Sequence, residues 1–159
     1  MYPYFKKYTG DLQAAEQPAA VPGDRLRNFL EANPEYGTLQ FQVTGGQGAF
    51  PIIGANVVIT RDLDATHSFS VTTQTDSSGR TEPMSLPAPS RSLSQSPGRK
   101  DVFAVYRAVI TAPDYVTVVV RDIPVFDGIA TIQPVSMTAS IGNQQQAPAE
   151  EIEDKEPDL

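Results

Sequence analysis

The chain has 159 residues, of which 40% are hydrophobic, and this suits one domain with a modest core. It contains no cysteine, which excludes disulfides, thiolate catalysis and cysteine-ligated zinc. The net charge of −7 is unevenly placed, because residues 37–138 carry seven basic and eight acidic side chains while residues 139–159 carry one lysine against six acids. A nearly neutral body lacks the basic surface that binds a phosphate backbone, so nucleic acid is not expected as a partner.

Residues 1–23 predict an extended leader whose aromatic side chains surround Lys6 and Lys7. The aromatic residues are Tyr2, Tyr4, Phe5 and Tyr8. We interpret them as a docking segment, which adds to a partner's sheet or fills a groove, or as a tail that folds back on its own domain. No apolar run follows the lysines, so we expect no secretory signal and no membrane span, and the localisation stays unknown.

Residues 24–34 predict a short helix that Asp24 caps and Asn33-Pro34 terminates. Its apolar face holds Leu26, Phe29 and Leu30. A helix of two to three turns needs something to pack on. It therefore covers one end of the domain or docks on a partner.

From Gly37 onward the hydrophobic period changes to two, which indicates half-buried strands. Seven strands are predicted at residues 38–43, 55–60, 67–75, 81–86, 102–112, 116–122 and 129–137. In the fifth strand the expected inward set is Tyr106, Ala108, Ile110 and Ala112. A turn is expected at 76–79, where Asp76 can bond its own backbone and Gly79 accepts a positive φ. The prediction is an all-β fold, an antiparallel seven-stranded sandwich over residues 35–138, followed by a disordered acidic tail at 139–159.

Residues 87–100 are polar and show no continuous helix or strand pattern. They predict a long surface loop of the kind that often carries function. Its cations are Arg91, Arg99 and Lys100. They could bind an anionic polymer or an acidic partner, or simply keep the loop soluble.

The candidates for catalytic and metal chemistry are weak. His67 is the single histidine, and it is expected to bond its neighbours at the start of a strand, without a partner for catalysis or for zinc. Asp62, Asp64 and Asp76 would offer calcium oxygen ligands only if their loops met at one end of the sandwich. The Gly-rich stretch 45–48 lacks the Lys and Ser/Thr of a phosphate-binding loop. We predict no catalytic residue, no metal and no cofactor.

Three segments resemble the carboxypeptidase regulatory-like domain, a transthyretin-like β-sandwich. They are Gly54-Ala-Asn-Val-Val-Ile-Thr60, Thr75-Asp-Ser-Ser-Gly-Arg-Thr81 and Val109-Ile-Thr-Ala-Pro-Asp-Tyr115, with Asp114 where the family usually has glycine. The insertion at 86–97 and the ending at 123–135 are similar to the variety in the N-terminal, non-catalytic part of spore cortex-lytic enzyme precursors and related peptidoglycan-associated proteins of spore-forming Gram-positive bacteria.

The resemblance implies an accessory module of the spore or cell envelope rather than an enzyme. The expected function is a structural or interaction module whose partner is another envelope or spore protein. Two alternatives stay open: a module that binds peptidoglycan, and a regulatory or chaperone-like partner of a separate cortex-lytic enzyme. The residues expected to contact a partner are those of the leader, the helix face and the loop cations named above.

Overall fold

The computed structural model of the chain describes residues 22–95, 102–140 and 150–153. Its elements, in chain order, are α1 (Pro22–Ala32), β1 (Glu35–Gly45), β2 (Phe50–Pro51), β3 (Asn56–Asp62), β4 (Ser68–Gln74), β5 (Met84–Ala88), a 3₁₀ helix (Arg91–Gln95), β6 (Ala104–Thr111), β7 (Val118–Val125), β8 (Ala130–Met137) and β9 (Glu150–Glu153). The predicted all-β sandwich with one short preceding helix is confirmed. Among the described residues, none forms a helix long and apolar enough to cross a membrane.

Two sheets face each other across the core. In the narrower sheet, β8 lies along one edge of β1, and the opposite edge of β1 is shared by β5 and β2. The wider sheet has five strands in the order β4-β3-β6-β7-β9. Side chains alternate between buried and exposed along β1 and β6, as a strand with one covered face requires.

The prediction of an antiparallel sandwich is wrong for two strand pairs. β8 runs parallel to β1 over residues 38–45, and β9 runs parallel to β7 over residues 118–121. Neither strand is joined to its parallel neighbour by a hairpin, which would make the pair antiparallel. The longer connection between the paired strands allows the parallel direction. Strand alternation carries no information about this direction.

The core forms where the inner faces of the two sheets meet. Its largest fully buried side chains are Tyr106, Phe41, Leu39, Ile59 and Leu86. Of the inward set predicted for β6, Tyr106, Ala108 and Ile110 are buried, while Ala112 is only partly so. The prediction for this strand is confirmed, with its last residue at the rim.

The two predicted turn features are present. The Asp76 side chain accepts a 2.8 Å hydrogen bond from the Ser78 amide, and Gly79 has a φ of 78°. At the corner that follows β6, Asp114 has a φ of 68°, a conformation that glycine favours and aspartate tolerates. The Asp114 carbonyl accepts a bond from the Ser140 amide, which ties this corner to the chain after β8.

The expectation of disorder throughout 139–159 is wrong for two parts of that segment. Ala139 forms a bridge with Tyr115, and residues 150–153 form β9. β9 is stabilised because Ile152 packs against the core and the Arg121 guanidinium bonds the Glu151 carboxylate at 2.7 Å. Residues 141–149 and 154–159 lie outside the described residues.

Candidate interaction surfaces

Helix α1 is attached to the wider sheet through Phe29. The Phe29 ring packs against the Phe69 ring of β4 at 5.8 Å, and the Arg61 guanidinium lies over Phe29 at 5.7 Å. The side-chain amide of Asn33 donates a 2.8 Å bond to the Phe29 carbonyl, which ends the helix. The helix therefore covers one end of the sandwich, which is the first of the two roles predicted for it.

This packing buries one of the three residues predicted on the apolar face of α1 and leaves the other two exposed. Phe29 is 8% exposed and belongs to the core, so little of its side chain is left to contact a partner. Leu26 and Leu30 remain 39% and 38% exposed on the same helix. They stay predicted contact residues, whereas Phe29 is an anchor.

A group of charged side chains surrounds the turn between β3 and β4. Asp64 forms an ion pair with Arg25 of α1, and Asp62 forms one with Arg107 of β6 at 3.2 Å. The Thr66 amide donates a 2.7 Å bond to Asp64, and this bond, together with those from His67 and the Thr66 hydroxyl, lowers the pKa of the Asp64 carboxyl well below its usual range. The acids of this turn are thus engaged within the fold.

His67 bonds its neighbours, as predicted. Its Nδ1 lies 3.0 Å from a carboxylate oxygen of Asp64 and 2.8 Å from the Thr66 hydroxyl. These contacts orient the turn that leads into β4.

The three acids considered as calcium ligands do not meet. Asp62 and Asp64 lie at the turn that joins β3 to β4, whereas Asp76 follows the far end of β4. Seven residues of strand separate these ends by about 24 Å. Asp76 is instead engaged in its own turn, where the Ser78 hydroxyl and the Arg80 amide lower the pKa of its carboxyl.

The predicted loop at 87–100 is more ordered than expected at its start. Pro87 and Ala88 are buried residues of β5, and the 3₁₀ helix follows. The loop prediction is therefore wrong for residues 87 and 88, which pair with the start of β1, and for residues 91–95, which form the 3₁₀ helix. The Arg91 amide donates a 3.0 Å hydrogen bond to the Asp127 carboxylate. The Arg91 guanidinium lies 3.9 Å from the same carboxylate.

Several predicted contact residues lie outside the described residues. They are Tyr2, Tyr4, Phe5 and Tyr8 of the leader and Arg99 and Lys100 of the loop. They stay predictions.

Three exposed apolar side chains that the sequence did not single out lie at the start of β1 and β8. We call Tyr36, Ile129 and Ile132 the β1–β8 patch; they are 55%, 50% and 55% exposed. Tyr36 and Ile132 lie on the outward face four residues apart in the strand register, and Ile129 lies just before β8. The Gly128 amide donates to the Tyr36 carbonyl at 2.9 Å, and the Thr38 amide donates to the Ile129 carbonyl at 2.9 Å. These backbone bonds hold the patch on paired strands.

Arg91 borders this patch. A Cβ placed on Gly128 would lie 3.4 Å from the Arg91 guanidinium, so Arg91 lies beside the turn that precedes Ile129. Strand alternation places Tyr36 and Ile132 on an outward face, which is the signal that could have revealed the patch.

No protein-family model and no curated protein matches the chain. Solved structures similar to it include the Bacillus anthracis TIE protein, at 15% identity and a TM-score of 0.47, and catechol 1,2-dioxygenase from Pseudomonas arvilla C-1, at 17% identity and a TM-score of 0.46. The first match covers 66% of this chain and 17% of that protein, and the second covers 73% and 57%. The chain thus spans less than two thirds of either protein, and likeness of this size carries no information on activity.

Proposed function

We propose that this protein is a non-enzymatic interaction module, set in the spore or cell envelope of a spore-forming Gram-positive bacterium as the resemblance implies. The observation that carries the proposal is the β1–β8 patch with Arg91 beside it. Tyrosine and arginine are among the residue types enriched at the energetic centres of protein interfaces. A protein partner is the occupant that this composition fits.

The proposal includes membership of the carboxypeptidase regulatory-like family. The three segments that carry the resemblance to the carboxypeptidase regulatory-like domain fall on β3, on the Asp76–Gly79 turn and on β6 with its corner. Asp114 takes the positive φ that a glycine would take there. These placements support a transthyretin-like domain, and the envelope-associated variety rests on the resemblance of residues 86–97 and 123–135.

The partner's surface follows from the chemistry of the patch. Tyr36, Ile129 and Ile132 call for an apolar surface, and a carboxylate at its border would pair with Arg91. Asp127 already contacts Arg91, so the partner's acid would extend an existing ion pair rather than neutralise a lone charge. A cortex-lytic enzyme is the partner that the resemblance suggests.

The test measures binding of the full chain to a purified cortex-lytic enzyme and, in parallel, its cosedimentation with cortex peptidoglycan. We expect saturable binding to the enzyme, weakened at least about tenfold by Tyr36→Ser with Ile132→Ser, which is about 1.4 kcal/mol. The matched control, Arg27→Ser with Glu31→Ser on α1, should bind normally. Equal binding by the patch variant would overturn the assignment of the patch.

The same experiment distinguishes the two alternative functions, glycan binding and regulation of an enzyme. Cosedimentation with peptidoglycan in the absence of enzyme would favour the glycan-binding reading over the proposed one. A change in the rate of the bound enzyme would specify the interaction as regulatory. Release of soluble cortex fragments by the protein alone would contradict the non-enzymatic assignment itself.

A further inference from the structure

The free edge of β4 has an unusual composition for an exposed sheet edge. The Leu63 amide bonds the His67 carbonyl at 2.8 Å, and the Thr75 amide bonds the Ala55 carbonyl at 3.0 Å. In an antiparallel pair the bonding direction alternates, so odd-numbered residues of β4 face β3. Even-numbered residues then direct their N–H and C=O groups to the open edge: Ser68, Ser70, Thr72 and Gln74.

Nothing in the sequence of β4 blunts this edge. Native proteins protect edge strands with proline, charge, bulges or very short length. β4 has seven residues in unbroken register with β3 and contains neither proline nor a charged residue. Its exposed side chains are small or polar.

The other edges that the structure describes do carry such protection. The Ile129 carbonyl accepts from the Thr38 amide, so odd-numbered residues of β8 face β1, and the missing N–H of Pro134 falls on the open side. β5 contains Pro87, β2 is two residues long and includes Pro51, and β9 has three glutamates. β4 is the exception among these edges.

We propose that the β4 edge is a strand-accepting site and that its occupant is the aromatic segment of this same chain, residues 2–9. The site lies on the five-stranded sheet and the β1–β8 patch on the other, so this proposal stands apart from the proposed function. An added strand would satisfy the outward backbone groups of β4. Tyrosine and phenylalanine are among the residues that strands favour most.

The position of α1 brings this segment to the edge. Arg25, in the first turns of α1, pairs with Asp64 just before β4, and Phe29 packs on Phe69 within β4. Residues 1–21 therefore join the described chain beside this strand. Residues 10–21 can span about 40 Å when extended, against about 24 Å for the length of β4, so the segment reaches every position along the edge.

The inner face beside the edge offers apolar contacts. Phe69 and Val71 lie on the inner face of β4 and are only partly buried. Aromatic side chains on an adjacent strand would pack against them as cross-strand neighbours. Pro3 has no N–H, and it fits if its nitrogen faces the new outer edge, so that Tyr2, Tyr4 and Tyr8 bond β4.

Amide hydrogen exchange of the full chain tests the proposal. We expect the amides of Ser70 and Thr72 to exchange at least about tenfold more slowly than in the full-length variant Tyr4→Pro with Tyr8→Pro, which removes two bonding N–H groups from the segment. The matched control, Ala14→Pro with Gln17→Pro, should keep the protection. Val71 and Thr73, which bond β3, serve as the reference for intact folding.

Two outcomes would overturn the assignment. Equal exchange of Ser70 and Thr72 in the wild type and the Tyr4→Pro, Tyr8→Pro variant would show that the segment does not cover the edge. Protection that survives in that variant, rises with protein concentration and accompanies a dimer mass would assign the edge to a second copy of the chain.

Discussion

The phenol hydroxyl of Tyr106 donates a 2.5 Å hydrogen bond to the main-chain carbonyl of Pro87 inside the core. Tyr106 belongs to β6 of the wider sheet and Pro87 to β5 of the narrower one, so this bond joins the two layers of the sandwich. The bond also satisfies a polar side-chain atom that would otherwise be buried without a partner. It positions the end of β5 that pairs with Tyr36, a member of the β1–β8 patch.

Replacing Tyr106 with phenylalanine should destabilise the protein. The variant leaves the Pro87 carbonyl buried without its donor, at a cost of about 1–3 kcal/mol in the free energy of unfolding. Chemical denaturation of the full chain measures this difference. Tyr36→Phe removes the same hydroxyl from an exposed side chain and should change the free energy little; equal losses in the two variants would refute the role given to the Tyr106 bond.

The Tyr106 bond should also weaken at alkaline pH. Burial raises the pKa of the Tyr106 phenol above its ordinary value, whereas in the unfolded chain tyrosine ionises near pH 10. Above about pH 10 the unfolded state therefore loses this proton first, and the stabilisation by Tyr106 declines as the pH rises. The difference in unfolding free energy between wild type and Tyr106→Phe should narrow between pH 9 and about pH 11. A constant difference over this range would contradict the prediction.

Asp64 should contribute to stability at neutral pH and lose that contribution in acid. Its pKa in the folded protein is lowered, first by the bond from the Thr66 amide, while in the unfolded chain aspartate titrates near 3.9. The contribution is thus present above about pH 4 and is lost as the pH falls through the folded-state pKa. Asp64→Asn, which keeps the oxygen acceptor but not the charge facing Arg25, should be less stable than wild type at pH 7.

Thermal unfolding of both proteins between pH 7 and pH 2 checks this expectation. The difference in melting temperature should shrink below about pH 4, as the Asp64 carboxyl of the unfolded wild type takes up its proton before that of the folded protein does. Glu82→Gln, an exposed acid on the segment before β5, should show no comparable difference. A gap between wild type and Asp64→Asn that is independent of pH would argue against a role for the charge.

Alanine should destabilise the protein at Gly37 but not at Gly23. A Cβ on Gly37 would lie 2.2 Å from the Phe126 carbonyl oxygen, which is main chain and cannot turn aside, whereas a Cβ on Gly23 meets nothing within 4 Å. Gly37→Ala should therefore cost about 1–3 kcal/mol of unfolding free energy. Gly23→Ala, in α1, should be neutral or stabilise by up to about 1 kcal/mol. Similar stabilities for the two variants would contradict the close approach of β1 to Phe126.

Most of the sandwich could be predicted from its sequence because alternation is a local property. The seven predicted strands all exist, and Tyr106, Ala108 and Ile110 face inward as expected. β9 could not be predicted, since three of its four residues are glutamates and its pairing depends on β7 and on Arg121. The parallel direction of β8 depends on a chain path that no local pattern records.

The candidate surfaces could be predicted only in part, because exposure depends on which elements pack together. The sequence places Leu26, Phe29 and Leu30 on one helix face but does not show that Phe69 removes Phe29 from that face. It identifies Arg91 as a loop cation, yet Tyr36 and Ile132 resemble ordinary strand residues until the two strands are paired. The β4 edge is likewise recognised only after the bonding direction of each residue is known.

A photo-crosslinker at position 132 tests most directly whether the β1–β8 patch binds a protein partner. The probe in place of Ile132, in a full chain mixed with a purified cortex-lytic enzyme, should give one discrete protein adduct. Tyr36→Ser in the same chain should lower the yield of that adduct. The same probe in place of Thr111, exposed on the opposite sheet, should give none. Equal adduct yields from positions 132 and 111, or no adduct from position 132, would contradict the account.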